Sequence, residues 1–280
     1  MVTKVSIKWF MPVLLLGLAS CTKIEFVDTP NKSSRVKNVV IHYTAVDEKQ
    51  TMSLFADKHA KVSAHFVITE DEIYQLASLD DRTFHAGFSY WNGRTSINDT
   101  SIGIELVQEI HCLDASIDTS VYPRQVCAYP PFSPDLVDNL IRVLDIVYEA
   151  YPNVKPTHLV GHQDIAPTRK SDPGPNFPWQ YLNQEGYGAW YEPSDFLEEY
   201  QDMAGRKVEV EQFHAALRIY GYPEVESHEY PHVISAFQSH FTPNMITGDV
   251  TTDSVAALLA LIKKYYPDKY PTAKENLLSI

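Results

Sequence analysis

The stretch Gly161-His162-Gln163-Asp164-Ile165-Ala166-Pro167-Thr168-Arg169-Lys170-Ser171-Asp172-Pro173-Gly174-Pro175 gathers an imidazole, an ammonium and a carboxylate in one turn-rich loop. His162 and Asp172 are both side chains that zinc accepts. The three prolines restrict the loop backbone, so less entropy is lost on ordering it and two distant ligands can meet at one point. Catalytic zinc commonly takes three protein ligands and keeps a fourth position open. A third ligand must therefore come from elsewhere in the chain. His158 lies four residues before His162, a spacing that on a helix would aim both at one metal; Pro156 and the β-branched context favour a strand, which leaves His158 a structural or ligand-orienting role. A rival stretch, His228-Glu229-Tyr230-Pro231-His232, satisfies the literal H-E-x-x-H pattern of zinc proteases. That pattern needs a helix interior, where Pro231 would lose a hydrogen bond and clash. Proline fits instead the first turn of a helix starting there.

Period and punctuation predict the elements that must position these groups. The apolar run from Val154 to Val160 predicts a short strand ending at His162. Val36 to Tyr43 predicts another, with Val36, Asn38, Val40 and His42 on one face and His42 at its C-terminal end, where open α/β sheets commonly place ligands. Asp47 to Ala60 reads as a helix, and Ser63 to Ile68 with Glu72 to Leu76 as a hairpin. Ser101 to Val107 is a strand carrying Glu105. Ser133 caps a helix with Pro134 at its first position and a buried stripe of Leu136, Val137, Leu140, Ile141, Leu144 and Val147. The order predicts an α/β domain over residues 35–190, a mixed central sheet with flanking helices. Residues 191–207 read as a linker helix. Residues 208–280 form a small C-terminal module of three helices, about Glu209 to Tyr220, Pro231 to Phe241 and Asp253 to Tyr266.

The residues from Gly161 to Pro175 resemble the second zinc motif of the bacterial N-acetylmuramoyl-L-alanine amidases of the amidase-2 type, which share a fold with peptidoglycan recognition proteins. Asn38-Val39-Val40-Ile41-His42-Tyr43-Thr44-Ala45 resembles the family's first motif, a strand ending in a zinc histidine. Arg82-Thr83-Phe84-His85-Ala86-Gly87 and Asn98-Asp99-Thr100-Ser101-Ile102-Gly103-Ile104-Glu105-Leu106 are further matches, and all four follow the family's order between roughly Lys37 and Trp190. Within the family the chain is most similar to lipid-anchored outer-membrane enzymes with an extra C-terminal module.

The resemblance implies one Zn2+ per chain, held by His42, His162 and Asp172, with Asp172 standing where some relatives carry cysteine. Glu105 matches the proton-accepting carboxylate and Lys170 the cation that faces the developing oxyanion. The implied reaction is hydrolysis of the amide between N-acetylmuramic acid and L-alanine in peptidoglycan or muropeptides. A non-catalytic recognition protein of the same fold and a zinc peptidase acting within the stem peptide are the alternatives. For His65 and His85, substrate contact, ligand support and plain hydrogen-bonded burial all stay open. Val233 to Phe241 resembles the central helix of small peptidoglycan-binding modules; the other reading is a helical cap on the catalytic domain.

Residues 1–20 predict a signal peptide. Lys4 and Lys8 make a basic start, Trp9 to Leu18 is apolar, and Leu18-Ala19-Ser20-Cys21 resembles a bacterial lipobox. Cys21 would be lipidated and residues 21–34 would tether the enzyme as a monomer to a membrane, with Thr22 in place of an aspartate pointing to the outer membrane. Without the two leader lysines, 21 basic residues face 36 acidic ones, a formal charge of -15. That balance excludes nucleic acid as a partner and leaves acylation as the membrane contact. Cys112 and Cys127 then remain as a pair in an oxidising compartment, and a disulfide there would stabilise by roughly 3 kcal/mol in the chain-entropy model. Free thiols or a zinc pair are the alternatives. Ile110 to Phe132, around these cysteines, carries no recognised pattern.

Overall fold

The computed structural model describes residues 23–112 and 127–278. The expected leader, the lipobox with Cys21 and residues 113–126 of the insertion lie outside the described residues. Residues up to Ser33 form one unit and Ser34–Ile280 another. In the first, residues 23–33 contain no helix or strand, and Lys32 pairs with Asp28.

The second unit begins with β1 (Asn38–Ala45), α1 (Glu48–Ala56), β2 (Phe66–Ile68), β3 (Ile73–Gln75), a small ladder of β4 (Tyr90–Trp91) and β5 (Arg94–Thr95), and β6 (Ser101–Glu109). A second ladder, β7 (His111–Cys112) with β8 (Cys127–Ala128), leads to α2 (Pro134–Ala150), β9 (Leu159–Gly161), α3 (His162–Ile165) and α4 (Trp179–Gln184). The chain ends with α5 (Pro193–Met203), α6 (Val210–Tyr220), α7 (Tyr230–Phe241), α8 (Thr252–Tyr265) and α9 (Tyr270–Leu278). The five-stranded sheet has the order β3-β2-β6-β1-β9. Only the β2–β3 hairpin pairs antiparallel, so the sheet is mixed. Sitting between parallel neighbours, β1 buries its first five residues without a break, as its nearly continuous apolar run requires.

Capping and amphipathicity fix the helices that cover the sheet. Ser133 accepts a hydrogen bond from the Leu136 amide and Pro134 fills the first turn, so α2 starts where its sequence says. Its buried stripe runs through Leu136, Leu140, Val143, Leu144 and Val147, while Asn139 donates to the carbonyls of Thr69 and Glu70 in the β2–β3 turn. Cys112 and Cys127 are joined by a disulfide, with S–S 2.06 Å, across the β7–β8 ladder.

Strand ends shift from the sequence reading by two or three residues, β2 beginning at Phe66 rather than Ser63 and β1 and β6 running on to Ala45 and Glu109, and two boundaries differ more. The helix expected from Asp47 to Ala60 stops at Ala56: Asp57 adopts an extended conformation and its carboxylate accepts the His59 amide, which turns the chain away. The strand expected from Val154 to His162 shrinks to β9. Pro156 opens a 3-10 turn, Pro156–His158, and His162 is the first residue of α3 rather than the last of a strand. The three expected C-terminal helices are present as α6, α7 and α8, and α9 follows them.

These helices share one apolar core with the sheet. Trp91, 1% exposed, packs edge-on against Tyr222 at 5.0 Å between ring centroids and donates from its indole nitrogen to the Thr157 carbonyl. Removing so large a buried ring costs about 3–5 kcal/mol. Trp91→Ala is therefore expected to lose stability on that scale in urea denaturation, with near-ultraviolet and far-ultraviolet signals still moving together in one transition.

Candidate metal centre and active-site cleft

Register decides what stands beside what. In the parallel pairing of β1 with β6, His42 lies opposite Glu105, which puts an imidazole and a carboxyl on adjacent strands at the same end of the sheet. On the other side of β1, Ile41 lies opposite Gly161, so His162 emerges next to His42. The loop after α3 then folds back: the Lys170 backbone amide donates to the Ala166 carbonyl, and the Gln163 backbone amide donates to the Asp172 carbonyl at 2.8 Å. This return requires a glycine at 161, because a Cβ there would lie 2.5 Å from Cδ of Pro173.

His42 Nδ1 and His162 Nδ1 are 3.0 Å apart, and Oδ2 of Asp172 lies 2.9 Å from the first and 3.1 Å from the second. Among the described residues, these three form the group of histidine and carboxylate ligand atoms that converges, within 4.8 Å of one another. The outer nitrogens show which atoms carry protons. His162 Nε2 can only donate to the Ala86 carbonyl at 3.0 Å, which leaves its Nδ1 a lone pair. For His42 the same conclusion comes through a chain. Ser101 Oγ donates to the Ile97 carbonyl and so accepts from His85 Nε2; His85 Nδ1 then accepts from His42 Nε2 at 3.0 Å. Both inward-facing nitrogens are acceptors next to a carboxylate oxygen. Three such atoms repel one another unless a cation sits among them, and two imidazoles with one carboxylate match a three-ligand zinc set with an open position.

Electrostatics agree with that assignment. Burial, and after it the neighbouring His162, lower His42 to about 4, so it is neutral at physiological pH. Burial alone would raise Asp172, and protonated His162 and His42 would hold it low; with lone pairs on both Nδ1 atoms, that role passes to a cation. Glu105 goes the other way: burial first, then the Asp172 carboxylate, push it well above the ordinary value. His42, His162, Asp172, Glu105, Lys170 and His85 all line one cleft of about 380 Å³. Lys170 is exposed at its rim.

The remaining histidines separate by position. His85 backs His42, and Gly103 makes room for it, since a Cβ there would come within 2.4 Å of the ring. His65 is fully buried behind the cleft: its Nδ1 accepts from Thr83 Oγ1 and from the Gly103 amide, and its Nε2 donates to the Asp81 carbonyl. His158 sits on its 3-10 turn between Asn38 Oδ1 at 2.8 Å and Asn92 Nδ2 at 3.2 Å, tying β1 to the β4–β5 ladder. The H-E-x-x-H residues contribute to no convergent ligand group among the described residues, and Pro231 occupies the first turn of α7.

Sequence reasoning missed Arg169, Asn98 and Ser101. Arg169 Nη2 donates to the carbonyls of Ala86 and Phe88, both at 2.8 Å, and Asn98 Oδ1 accepts the amides of His85 and Ala86. They hold the segment that supports both imidazoles. Asn98 and Ser101 lie inside a recognised motif, but their partners become visible only when the chain is folded.

Comparison with known proteins places this geometry. Residues 32–175 match the Amidase_2 family, described as N-acetylmuramoyl-L-alanine amidase. The N-acetylmuramoyl-L-alanine amidase AmiD of Escherichia coli K12 is 36% identical over 251 residues, 84% of this chain and 85% of the relative. The solved complex of E. coli AmiD with the substrate anhydro-N-acetylmuramic acid-L-Ala-D-gamma-Glu-L-Lys is similar with a TM-score of 0.75 and 35% identity, covering 85% of this chain and 93% of that one. The crystal structure of AmpDh3 from Pseudomonas aeruginosa gives a TM-score of 0.77 at 31% identity, over 88% of this chain and 99% of that one. These shares are too large to stop at residue 175, so the likeness extends into the C-terminal helices. The chain belongs to the amidase-2 family of N-acetylmuramoyl-L-alanine amidases.

Proposed function

We propose that this protein is a zinc-dependent amidase that hydrolyses the bond between the lactyl group of N-acetylmuramic acid and L-alanine, anhydromuropeptides being among its substrates. The observation that carries the reading is the convergence of His42 Nδ1, His162 Nδ1 and Asp172 Oδ2 in a cleft that Glu105 and Lys170 also line. The substrate class is supported by the ligand named in the AmiD complex.

A zinc ion held by the three side chains would supply Lewis-acid polarisation of the amide carbonyl and acidify a water for attack. The chain's own groups do the rest. Glu105 stands beside His42 across the β1–β6 pairing, where it can take the proton from the attacking water and hand it to the leaving amine of L-alanine. Lys170 brings a positive charge to the rim of the cleft, where it gains most as the carbonyl oxygen becomes anionic in the tetrahedral transition state. His85 and the Ala86 carbonyl keep the two imidazoles in the tautomers that present lone pairs inward.

The first test is mass spectrometry of an anhydromuropeptide incubated with the protein, with zinc and with a chelator. Free sugar and a peptide beginning at L-alanine are expected only with metal. A cut inside the peptide would replace the amidase with a peptidase, and binding without any cut would leave a recognition protein. Glu105→Gln is expected to lower kcat by about 10²–10⁴-fold, the usual contribution of a general base, with metal content unchanged.

A second expectation concerns the charge on Glu105. Burial and Asp172 raise it in the metal-free protein, whereas a dication held by His42, His162 and Asp172 would favour the ionised form. Carbon-13 NMR of the Glu105 carboxyl should therefore show titration above the ordinary carboxylate range without metal, and a lower midpoint once zinc is added.

We further propose a lipoprotein anchored through Cys21 in the outer membrane, supported by the small residues of Leu18-Ala19-Ser20 directly before the cysteine. In a fractionated bacterial host, Cys21→Ser is expected to move the protein from the membrane pellet to the soluble fraction.

A further inference from the structure

Directly behind the metal loop lies a polar network that the proposed chemistry does not use. Asp164, two residues after His162, is fully buried and takes three donors. The Gly161 amide donates to Oδ2 at 2.7 Å, which closes α3 on itself. The other two donors come from the C-terminal region: His240 Nδ1, on α7, reaches Oδ2 at 2.8 Å, and the hydroxyl of Tyr222, in the turn just after α6, reaches Oδ1 at 2.7 Å. Beside them, Ser239 Oγ donates to Gln163 Oε1 at 3.1 Å, and Trp179 stacks on the His240 ring with centroids 3.8 Å apart. Asp164 and His240 are both almost inaccessible to water, so each of these bonds replaces hydration that neither group can recover.

The geometry makes this network a constraint on the metal centre. Since α3 is a single four-residue turn, His162 and Asp164 belong to one small rigid piece of backbone. Whatever fixes Asp164 fixes the origin of the His162 side chain. On its far side, the same imidazole is oriented by the Ala86 carbonyl. His162 is thus held in front by the segment that Arg169 and Asn98 secure, and from behind by side chains more than fifty residues further along the chain.

We infer that Tyr222, Ser239 and His240, acting through Asp164 and Gln163, are positioning residues for the metal ligand His162. The C-terminal helices then complete the metal centre in addition to any surface they present. This inference rests on the zinc reading above. It extends that reading because it assigns the C-terminal helices a role in metal binding itself. Geometry alone carries it: the carboxylate of Asp164 touches neither the cleft nor the three convergent ligand atoms.

The test compares Tyr222→Phe, Ser239→Ala and Asp164→Asn with a control, Tyr266→Phe, in the full chain. Tyr266 also ties the C-terminal helices to the sheet domain, through its hydroxyl to Thr157 Oγ1 at 3.2 Å, but at a turn that carries no metal ligand. Zinc affinity is read by competition with a chromophoric chelator. The geometry of the ligand set is read from the visible absorption of the cobalt(II)-substituted protein, and far-ultraviolet circular dichroism reports folding. Tyr222→Phe and Asp164→Asn are expected to weaken zinc by about tenfold, the lower end of what losing an outer support of a metal ligand does, and to change the cobalt spectrum. Ser239→Ala should move both readouts in the same direction by less, and Tyr266→Phe should move neither. If Asp164→Asn fails to fold, Tyr222→Phe, which removes one oxygen atom, decides the matter. Folded Tyr222→Phe protein with wild-type zinc affinity and cobalt spectrum would overturn the inference, as would an equal loss in Tyr266→Phe. A wild-type chain that binds neither ion would overturn the metal reading and this inference with it, an outcome distinguishable from unaltered variants on a metal-binding wild type.

Discussion

Three acceptor atoms brought within hydrogen-bond distance of one another are the constraint on which the rest of this structure depends. His42 Nδ1, His162 Nδ1 and Asp172 Oδ2 come from a strand, the first residue of a short helix and a returning loop, and they are about 3 Å apart. Left to themselves, imidazoles beside a carboxylate take up protons. Here the outer nitrogens are already committed as donors, His162 to a carbonyl and His42 to His85, which in turn is set by Ser101 and Ile97. A neutral imidazole has one proton to place, and the fold uses it on the outside. Much of the segment between Phe84 and Ser101 serves this purpose, which explains a run of buried polar side chains that would otherwise be costly.

The sheet is what turns this local requirement into an active-site geometry. Parallel pairing keeps equivalent ends of neighbouring strands together, so β1, β6 and β9 all deliver their C-terminal residues to the same edge. One residue of slippage between β1 and β6 would send Glu105 to the opposite face from His42. Core burial prevents that slip: Val39, Ile41, Ile102 and Ile104 are all sealed from solvent, so a shifted register would misplace apolar side chains along both strands. The proposed proton acceptor and the proposed metal ligand are thus fixed by the same hydrophobic pattern that builds the sheet.

What the sequence made legible follows from the range over which each cause acts. The cap at Ser133, the stripe of α2 and the proline that disqualifies the H-E-x-x-H stretch are local, so a few neighbouring residues suffice to read them. The convergence of His42, His162 and Asp172 spans up to 130 positions, and it was readable only because the motifs carrying those residues resemble a known family. Where both kinds of signal were weak the reading fell short. Pro156 and its β-branched context favour a strand by pattern, yet the proline opens a 3-10 turn before β9. In α9 only Ala273 and Leu277 are buried, too sparse a stripe to announce a helix. The roles of His85 and Asp164 were illegible for a different reason, since each depends on which atom faces it across the fold, and residue type and spacing carry no such information.

The C-terminal helices show how a change in sequence texture differs from a mechanical boundary. The texture changes past Trp190, and Gly205, the expected linker, has positive φ and a missing side chain that would meet nothing within 4 Å, as in a free-standing turn. Yet beyond that turn, Tyr220 and Tyr222 pack on Trp91, Gly221 accepts a backbone hydrogen bond from Asn92, and His240 and Tyr222 close on Asp164. An independently docked module would offer a mostly polar, water-tolerant contact. Here the contact contains fully buried aromatic rings and a carboxylate whose donors come from both sides of the turn. Displacing the helices would expose those rings and leave Asp164 with only the Gly161 amide, two residues from His162, the proposed metal ligand. In this chain the stability of the C-terminal helices and the geometry of the proposed metal centre therefore draw on one set of contacts.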